Sequence, residues 1–245
     1  MKILTIGQGF ISEHLPYPVY TNYIRFSPHH AQEILEIEQP DVVINCIGKT
    51  GRPNVDWCET HKEITAATNA AWPILLADAC AKKNIRMIQI GSGCIFFGAS
   101  PNIVPIRDGY YFNKGDGGWR EDDFANPQSY YSKSKYACDL MLGQMPHVTT
   151  LRIRMPISNR DNPRNLINKL RGYRSIIDIP NSMTFMDDLI RCVDWVIQEG
   201  QNGIFHVTNP QPITAARIMK EYQKYVPSHS FEIMSEAELD QATLA

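Results

Sequence analysis

The 245-residue sequence predicts an α/β fold built on a doubly wound parallel sheet. Apolar or β-rich runs of strand length recur along the chain, and segments with apolar residues at helical spacing lie between them. A glycine-containing turn directly follows the first of these runs. Alternating strands and helices are typical of parallel sheets, because neighbouring parallel strands must be joined by a crossover helix.

The predicted elements alternate from the first residues to Val207. The strands are residues 2–6, a short candidate at 18–21, and 41–47, 85–90, 149–153 and 203–207; the helices are 64–83, 130–142 and 186–199. The segment 64–83 is rich in alanine and has no glycine, as expected of a good helix. Right-handed crossovers would bring Gly7, Gly48, Gly91 and Arg154 to one edge of the sheet, where ligands bind in open α/β folds.

The rest of the chain predicts one domain with a small appended lobe. A polar stretch rich in Gly, Asp, Asn and Pro extends from residue 98 to residue 127 and predicts a functional loop beside that edge. No linker or repeat divides the chain. We therefore predict a single domain over residues 1–245, with a small C-terminal substrate-binding lobe drawn mainly from about 159–245.

Composition argues against several classes of function. The net charge of −2, from 24 basic and 26 acidic residues, gives no basic field for nucleic acid. Apolar runs are far shorter than the ~20 residues of a membrane helix, and no leader-like segment opens the sequence. The six cysteines are scattered without a C-x-x-C pair, which disfavours a metal site. We expect a cytoplasmic protein without nucleic-acid, membrane or metal partners.

The segment GQGFIS, from Gly7 to Ser12, is a variant of the dinucleotide-binding fingerprint G-x-G-x-x-G. In that fingerprint, small residues let the backbone turn tightly and approach a pyrophosphate at a helix N-terminus. The motif makes Gly7, Gly9, Phe10 and Ile11 candidate cofactor contacts in a Rossmann-type domain. Taken alone, the motif fits a simple strand-terminating turn equally well.

The residues after this turn favour NADPH over NADH. Pro16 and Pro18 predict that the helix after the turn is short. No Asp or Glu follows the second strand candidate to bind a ribose 2′-hydroxyl, whereas Arg25 could contact a 2′-phosphate. A solvated surface charge is the alternative for Arg25, which leaves NADH open as the cofactor.

Tyr131 and Lys135 form the candidate chemical centre. Their spacing places the phenol and the ammonium on one face of a helix, where the cation stabilises the phenolate form. A tyrosine in that setting can protonate a carbonyl oxygen while hydride reaches the carbon. Ser92, directly after the segment IRMIQIG (85–91), can hydrogen-bond the same oxygen. Because Y-x-x-x-K occurs by chance in many helices, the interpretation depends on the combination with Ser92 and the glycine turn.

Together these residues resemble the extended short-chain dehydrogenase/reductase family. The resemblance implies that Lys135 also contacts the cofactor. Asn69 either completes the family's proton relay or is a packing or capping asparagine.

Longer strings resemble the bifunctional nucleotide-rhamnose synthases, and the chain is also similar to dTDP-4-dehydrorhamnose reductases. The strings are TGRPNVDWCE (50–59), GCIF (93–96), YYSKSK (130–135), LRIRMPIS (151–158), NPRN (162–165) and IPNSMT (179–184). The resemblance implies that Cys94 and Lys169 are the two epimerisation groups. A small buried thiol and a solvated helix lysine are the alternatives for these two residues.

The same resemblance implies a nucleotide-diphosphate sugar as substrate. Its candidate contacts are Arg52, Asn54, Arg154, Arg164 and Asn165, since guanidinium groups bind phosphate oxygens in pairs. The implied activity is NADPH-dependent 3,5-epimerisation and 4-reduction of a UDP- or dTDP-linked 4-keto-6-deoxy-D-glucose to the L-rhamnose nucleotide. A 4-reductase alone and a non-catalytic nucleotide-binding protein are the alternatives. A homodimer is left open, because nothing in the sequence decides the oligomeric state.

Overall fold

The computed structural model describes residues 1–21, 27–52, 54–98, 100, 104–105, 111–112, 118–235 and 238. The chain divides into two compact units. The first comprises Met1–Arg152 with Val193–His206, and the second comprises Ile153–Cys192 with Val207–Ala245. The substrate-binding role predicted for a lobe from about residue 159 onward stays a prediction.

The first unit is built around a six-stranded sheet. Its elements, with those that the two units share, are β1 (Ile3–Ile6), β2 (Val19–Tyr20), α1 (Pro28–Glu38), β3 (Val42–Asn45), α2 (Trp57–Thr60), α3 (Lys62–Ala66), a π-helical turn (Ala67–Ala71), α4 (Trp72–Lys82), β4 (Arg86–Ser92), a 3₁₀ turn (Gly93–Ile95), β5 (Val104–Pro105), β6 (Tyr111–Phe112), α5 (Tyr130–Leu142), β7 (Val148–Ile153), α7 (Met186–Glu199) and β12 (Gly203–Val207).

The strand order of the sheet is β12-β7-β4-β3-β1-β2. The pairings of β1 with β2, β1 with β3, and β3 with β4 are parallel. The chain goes from β1 to β2 on one side and then returns to place β3 on the other side of β1. This is the switch in strand order at which doubly wound sheets open a crevice for ligands. The predicted fold class is confirmed.

The core of the first unit packs α1 and α4 against the sheet. Trp72 and Leu76 of α4 and Ile34 of α1 are fully buried with Ile6 and Val43 of the strands. Strands buried among helices explain why these runs of sequence are continuously apolar rather than alternating. This packing holds the carboxyl ends of β1 and β3 in place.

The second unit contains short strands and two helices of its own. Its elements are β8 (Pro156–Ile157), α6 (Leu166–Arg171), β9 (Ser175–Ile177), β10 (Pro180–Asn181), β11 (Thr184–Phe185), β13 (Ile213–Thr214), α8 (Ala215–Gln223) and β14 (Glu232–Met234). Two-stranded pairs form between β8 and β11, β9 and β14, and β10 and β13. A separate cluster around Leu170, Ile176, Ala216 and Met219 forms its core.

Two helical segments of the first unit differ from the predicted elements. The predicted helix 64–83 is divided into α3, the π-helical turn and α4, because one extra residue in the π turn shifts the hydrogen-bonding register. Helix α1 was not predicted, although Ser27 caps it by accepting the His30 N–H and Pro28 stands at its first position. Within the described residues, no helix combines the length and the apolar composition needed to cross a membrane.

Candidate active site

Gly7 follows β1 at the switch in strand order. Its φ is +102°, and a Cβ there would lie 2.7 Å from both the backbone nitrogen and Cγ1 of Ile47. Glycine tolerates both the left-handed conformation and the close approach. At Gly9, by contrast, a Cβ would meet nothing within 4 Å. The first glycine is needed for the turn, and the second leaves open space beside the backbone.

Ser12 closes the turn in place of a third glycine. Its buried Oγ accepts the Gly9 N–H at 2.9 Å and donates to the Gly9 carbonyl at 3.0 Å. The prediction of a short α-helix here is wrong, since residues 10–14 form hydrogen-bonded turns and residues 15–17 form bends. Pro16 and Pro18 each remove a backbone donor and disfavour helical geometry in the preceding residue.

The other candidate cofactor contacts stay predictions. Phe10 is buried, and its ring lies edge-on to that of His14 with the centroids 4.7 Å apart. Ile11 is half-buried. Arg25 lies outside the described residues, so the basis for choosing NADPH over NADH at that position stays a prediction too.

Helix α5 places Tyr131 and Lys135 in its buried first turns. Ser129 caps the helix, with its Oγ accepting the Ser132 N–H at 3.1 Å. The exposed fractions of Tyr131 and Lys135 are only 6% and 5%. The Lys135 Nζ lies 3.3 Å from the position that a Cβ on Gly48 would take. Because Gly48 has no side chain, the Lys135 ammonium can lie close to the backbone of the segment after β3.

Ser92 and Cys94 lie at the end of β4, beside α5. Ser92 is buried, and its Oγ accepts the Cys94 N–H at 3.2 Å, which caps the 3₁₀ turn. Cys94 is half-buried. Helix α5 packs against both β4 and the 3₁₀ turn. The strand end with the serine and the thiol is thus adjacent to the helix with the phenol and the ammonium.

The environments of four further thiols disfavour a chemical role. Burial raises the pKa of Cys46, Cys80 and Cys138 to about 12, with the Lys135 ammonium opposing this at Cys46 and Cys138. Burial also raises the pKa of Cys192. Thiols whose pKa is raised in this way are less readily deprotonated, and a protonated thiol is a poor base or nucleophile.

Asn69 bridges the segment after β3 to α5. It lies in the π-helical turn and is completely buried. Its Oδ1 accepts the Lys49 N–H at 2.7 Å, and its Nδ2 donates to the Lys49 carbonyl at 2.9 Å and to Ser134 Oγ at 3.1 Å. The Ser134 hydroxyl in turn donates to the Tyr131 carbonyl at 2.7 Å. These contacts favour a positioning role for Asn69.

A buried ion pair that was not predicted supports the opposite end of α5. Arg152 Nε donates to Asp139 Oδ2 at 2.8 Å, with both side chains at most 3% exposed. Burial raises the pKa of Asp139, while Arg152 and Lys135 oppose that change. The spacing of Asp139, four residues after Lys135, could have indicated a carboxylate on the buried face of the helix that needs a cationic partner, but it does not identify Arg152 as that partner.

His206 connects this pair to the last part of the predicted loop, residues 119–123. Its Nε2 is 3.0 Å from Arg152 Nη1, and its backbone N–H donates to Glu121 Oε1 at 2.8 Å. Burial lowers the pKa of His206, and the Arg152 charge lowers it further. The charges of Glu121 and Asp123 and the hydrogen bond to the Trp119 backbone oppose this change. Nε2 of the neutral ring can accept a hydrogen bond from Arg152 Nη1, so the arrangement requires an uncharged histidine.

In the first unit, two candidate substrate contacts lie on the exposed segment before α2. Arg52 is exposed. Asn54 is exposed and forms an Asx turn, since its Oδ1 accepts the Asp56 N–H at 3.0 Å and its Nδ2 donates to Asp56 Oδ2 at 2.8 Å. Their substrate roles stay predictions.

The remaining candidates lie in the second unit. Arg154 is half-buried and donates from Nε to Asn181 Oδ1 at 2.9 Å. Asn165 is buried, caps α6, and donates to the carbonyls of Ser158 and Arg160, both at 2.8 Å. Arg164, which precedes the N-cap of α6, and Lys169, within α6, are both half-buried. The structure gives Asn165 a structural task, and the substrate roles of all four residues stay predictions.

Across the described part of the chain, no three His, Cys, Asp or Glu side chains are grouped as a metal site would need. The polar groups at the sheet edge are instead a hydroxyl, a phenol, an ammonium and a thiol. Such groups bind and transfer protons without requiring a metal ligand set.

Comparison with known proteins matches residues 25–236 to the family model described as RmlD substrate binding domain. A bifunctional dTDP-4-dehydrorhamnose 3,5-epimerase/dTDP-4-dehydrorhamnose reductase of Arabidopsis thaliana is 39% identical over 201 residues, which are 81% of this chain. The chain spans 64% of the length of that relative.

Two solved structures share the fold. The L780 UDP-rhamnose synthase of Acanthamoeba polyphaga mimivirus superposes with a TM-score of 0.85 at 29% identity, covering 100% of this chain and 87% of the other. A dTDP-4-dehydrorhamnose reductase from Bacillus anthracis, solved in complex with NADP, gives a TM-score of 0.78 at 18% identity and covers 96% and 84% of the two chains. The second likeness bears on the fold alone.

Proposed function

The chain belongs to the RmlD substrate binding domain family, and we propose that it is an NADPH-dependent 3,5-epimerase/4-reductase of a nucleotide-linked 4-keto-6-deoxy-D-glucose. The product would be the L-rhamnose nucleotide. The names of the Arabidopsis and mimivirus relatives support this substrate class. The observation on which the proposal depends is the buried pair Tyr131 and Lys135 on α5, next to the strand end with Ser92.

The glycine turn fits the pyrophosphate of a dinucleotide, because Gly9 leaves open space beside the backbone at the switch point. When bound, NADPH supplies a hydride. We propose that it is held by Gly7, Gly9, Phe10, Ile11, Arg25 and Lys135. NADH is the alternative cofactor, and direct binding measurements with both would separate the two.

The reduction requires one proton from the protein. As the hydride forms a C–H bond at C4 of the sugar, the Tyr131 hydroxyl donates its proton to the 4-keto oxygen. The C4–O double bond becomes a single bond, and the ketone becomes a hydroxyl group. Lys135 stabilises the phenolate that remains, and Ser92 donates a hydrogen bond to the same oxygen. Solvent then returns a proton to Tyr131.

The epimerisation requires two groups on opposite faces of the sugar ring. We propose that Cys94 and Lys169 are these groups, one removing the acidic proton beside the 4-keto carbon and the other returning a proton to the opposite face. Each centre loses and gains one proton, so no oxidant or reductant is needed. Arg52, Asn54, Arg154, Arg164 and Asn165 are the proposed contacts to sugar and diphosphate.

Two assays test the proposal. With UDP- and dTDP-linked keto sugars as substrates in deuterated water, we expect NADPH oxidation and solvent deuterium at C3 and C5 of the product. Tyr131→Phe should lower kcat by about 10²–10⁴-fold while the Kd for NADPH changes little, because only the proton donor is lost. Tyr225→Phe, at a tyrosine that is 86% exposed, is the matched control.

The outcomes separate three candidate functions. NADPH oxidation without deuterium at C3 and C5 would indicate a 4-reductase that needs a separate epimerase. Binding of nucleotides without turnover of either sugar would indicate a non-catalytic member of the family. Unchanged turnover in Tyr131→Phe would contradict the catalytic assignment.

A further inference from the structure

We infer that Glu59 is a positioning residue for the proposed reduction, because its carboxylate holds the first turn of α5, in which Tyr131 lies. The inference rests on the proposed function. Glu59 ends the string TGRPNVDWCE that the proposed chemistry otherwise uses only through Arg52 and Asn54. Glu59 Oε1 accepts the Tyr130 N–H at 2.6 Å, across 71 residues of sequence.

The first amides of a helix lack intrahelical partners, and α5 takes its partners from two sources. Ser129 provides a local cap by accepting the Ser132 N–H. Glu59 accepts the N–H of Tyr130, which is the first residue of the helix and the neighbour of Tyr131. A carboxylate at this end is also favoured by the helix dipole. The hydrogen bond therefore ties the amino end of α5 to a separate element of the unit.

The position of Glu59 is defined by its own surroundings. The neighbouring Cys58 is completely buried, and its Sγ lies 3.8 Å from the Lys49 carbonyl. Gly51 makes the preceding bend possible, since it has φ +69° and a Cβ there would lie 2.5 Å from Trp57 Cβ. The contact between Cys58 and Lys49 and the tight bend at Gly51 fix the position of the short helix α2. In that position Glu59 can accept the hydrogen bond from α5.

A second contact from the same region reaches Tyr130. The Lys62 ammonium lies 5.6 Å from the centroid of the Tyr130 ring. Helices α2 and α3 thus contact the first residue of α5 through both its backbone and its ring. Because the Tyr131 phenol must stay within hydrogen-bonding distance of the reacting oxygen, small displacements of this turn affect the chemical step more than binding.

Paired variants separate the hydrogen bond from the charge. Glu59→Ala removes both, whereas Glu59→Gln keeps an oxygen that can accept the Tyr130 N–H. We expect Glu59→Ala to lower kcat about tenfold with KM for the keto sugar and Kd for NADPH within about twofold. Glu59→Gln should stay within about twofold of wild type in kcat. Glu63→Ala, at an exposed acid of α3, controls for the loss of charge.

Hydrogen exchange in the substrate-free protein provides a readout that is independent of turnover. Amides near residues 130–132 should exchange faster in Glu59→Ala and as slowly as wild type in Glu59→Gln and Glu63→Ala. A kcat of Glu59→Ala within about twofold of wild type, or an equal loss in Glu59→Gln, would overturn the inference. If the wild-type protein turns over neither sugar, the proposed function fails. Independently of turnover, unchanged amide hydrogen exchange in Glu59→Ala would show that Glu59 does not hold the helix.

Discussion

The glycine turn and helix α5 belong to the same unit and the same proposed site, but they are held in different ways. The turn is closed within six residues by Ser12, whose hydroxyl bonds both backbone groups of Gly9. Helix α5 is held by groups outside it: Glu59 and Asn69 bond residues 71 and 65 positions away, and Arg152 bonds Asp139 at a separation of 13. The proposed cofactor contact is therefore a local structure, whereas the proposed proton donor depends on the packing of the whole unit.

The largest effect should follow from breaking the distant support of α5. Arg152→Met leaves the Asp139 carboxylate buried without its partner, which typically costs about 3–5 kcal/mol of unfolding free energy. Urea unfolding of the variant measures this loss. Arg191→Ala is the matched control, because it removes an exposed i,i+3 pair that is worth about 0–1 kcal/mol.

The double variant Arg152→Met/Asp139→Asn sharpens the same test. Removing both charges should recover part of the stability that the single variant loses, since neither member of the Arg152–Asp139 pair is left buried and charged without the other. A single variant as stable as Arg191→Ala would show that the pair does not support α5.

An intermediate effect should separate the two glycines of the turn. Gly7→Ala forces a Cβ to within 2.7 Å of Ile47 at positive φ, and we expect a loss of about 1–3 kcal/mol in thermal or urea unfolding. Gly9→Ala has free space, so its unfolding free energy should change by no more than about 0.5 kcal/mol. Its added methyl group should instead weaken NADPH binding, as measured by fluorescence titration. Equal stabilities of the two variants would contradict this distinction.

The smallest effect should be a pH dependence from His206. Its pKa is lowered in the folded protein, so the unfolded chain binds the proton more readily. The stabilising contribution is present above the unfolded pKa of about 6.5 and is lost as the pH falls towards the folded pKa, with a slope of at most about 1.4 kcal/mol per pH unit.

Chemical denaturation between neutral and mildly acidic pH tests this dependence. In His206→Asn the decline over that range should be shallower than in the wild type, since the titrating group is gone. The exposed His61, as His61→Asn, provides a control that should retain the wild-type slope. Identical slopes in wild type and His206→Asn would rule out His206 as the source.

Much of the first unit was predictable because its signals are local. The bounds of α5, α7 and β12 agree with the predicted 130–142, 186–199 and 203–207. The need for glycine at position 7 was also predicted. Helix α1 was readable from Ser27 and Pro28 but was not predicted. The π-helical turn that buries Asn69 was not readable, since apolar spacing does not report a single shift in hydrogen-bonding register.

The sequence by itself determined the order of strands and helices, the switch-point turn, and the helix face that Tyr131 and Lys135 share. These depend on spacing and conformational preference over a few residues, which the chain specifies locally. Only the tertiary structure decided which groups hold that face: the Glu59 carboxylate on the Tyr130 amide, the Asn69 amide on Ser134, and Arg152 on Asp139. Hydrogen bonds between distant residues form when packing brings donor and acceptor within about 3 Å, and no local pattern encodes that distance.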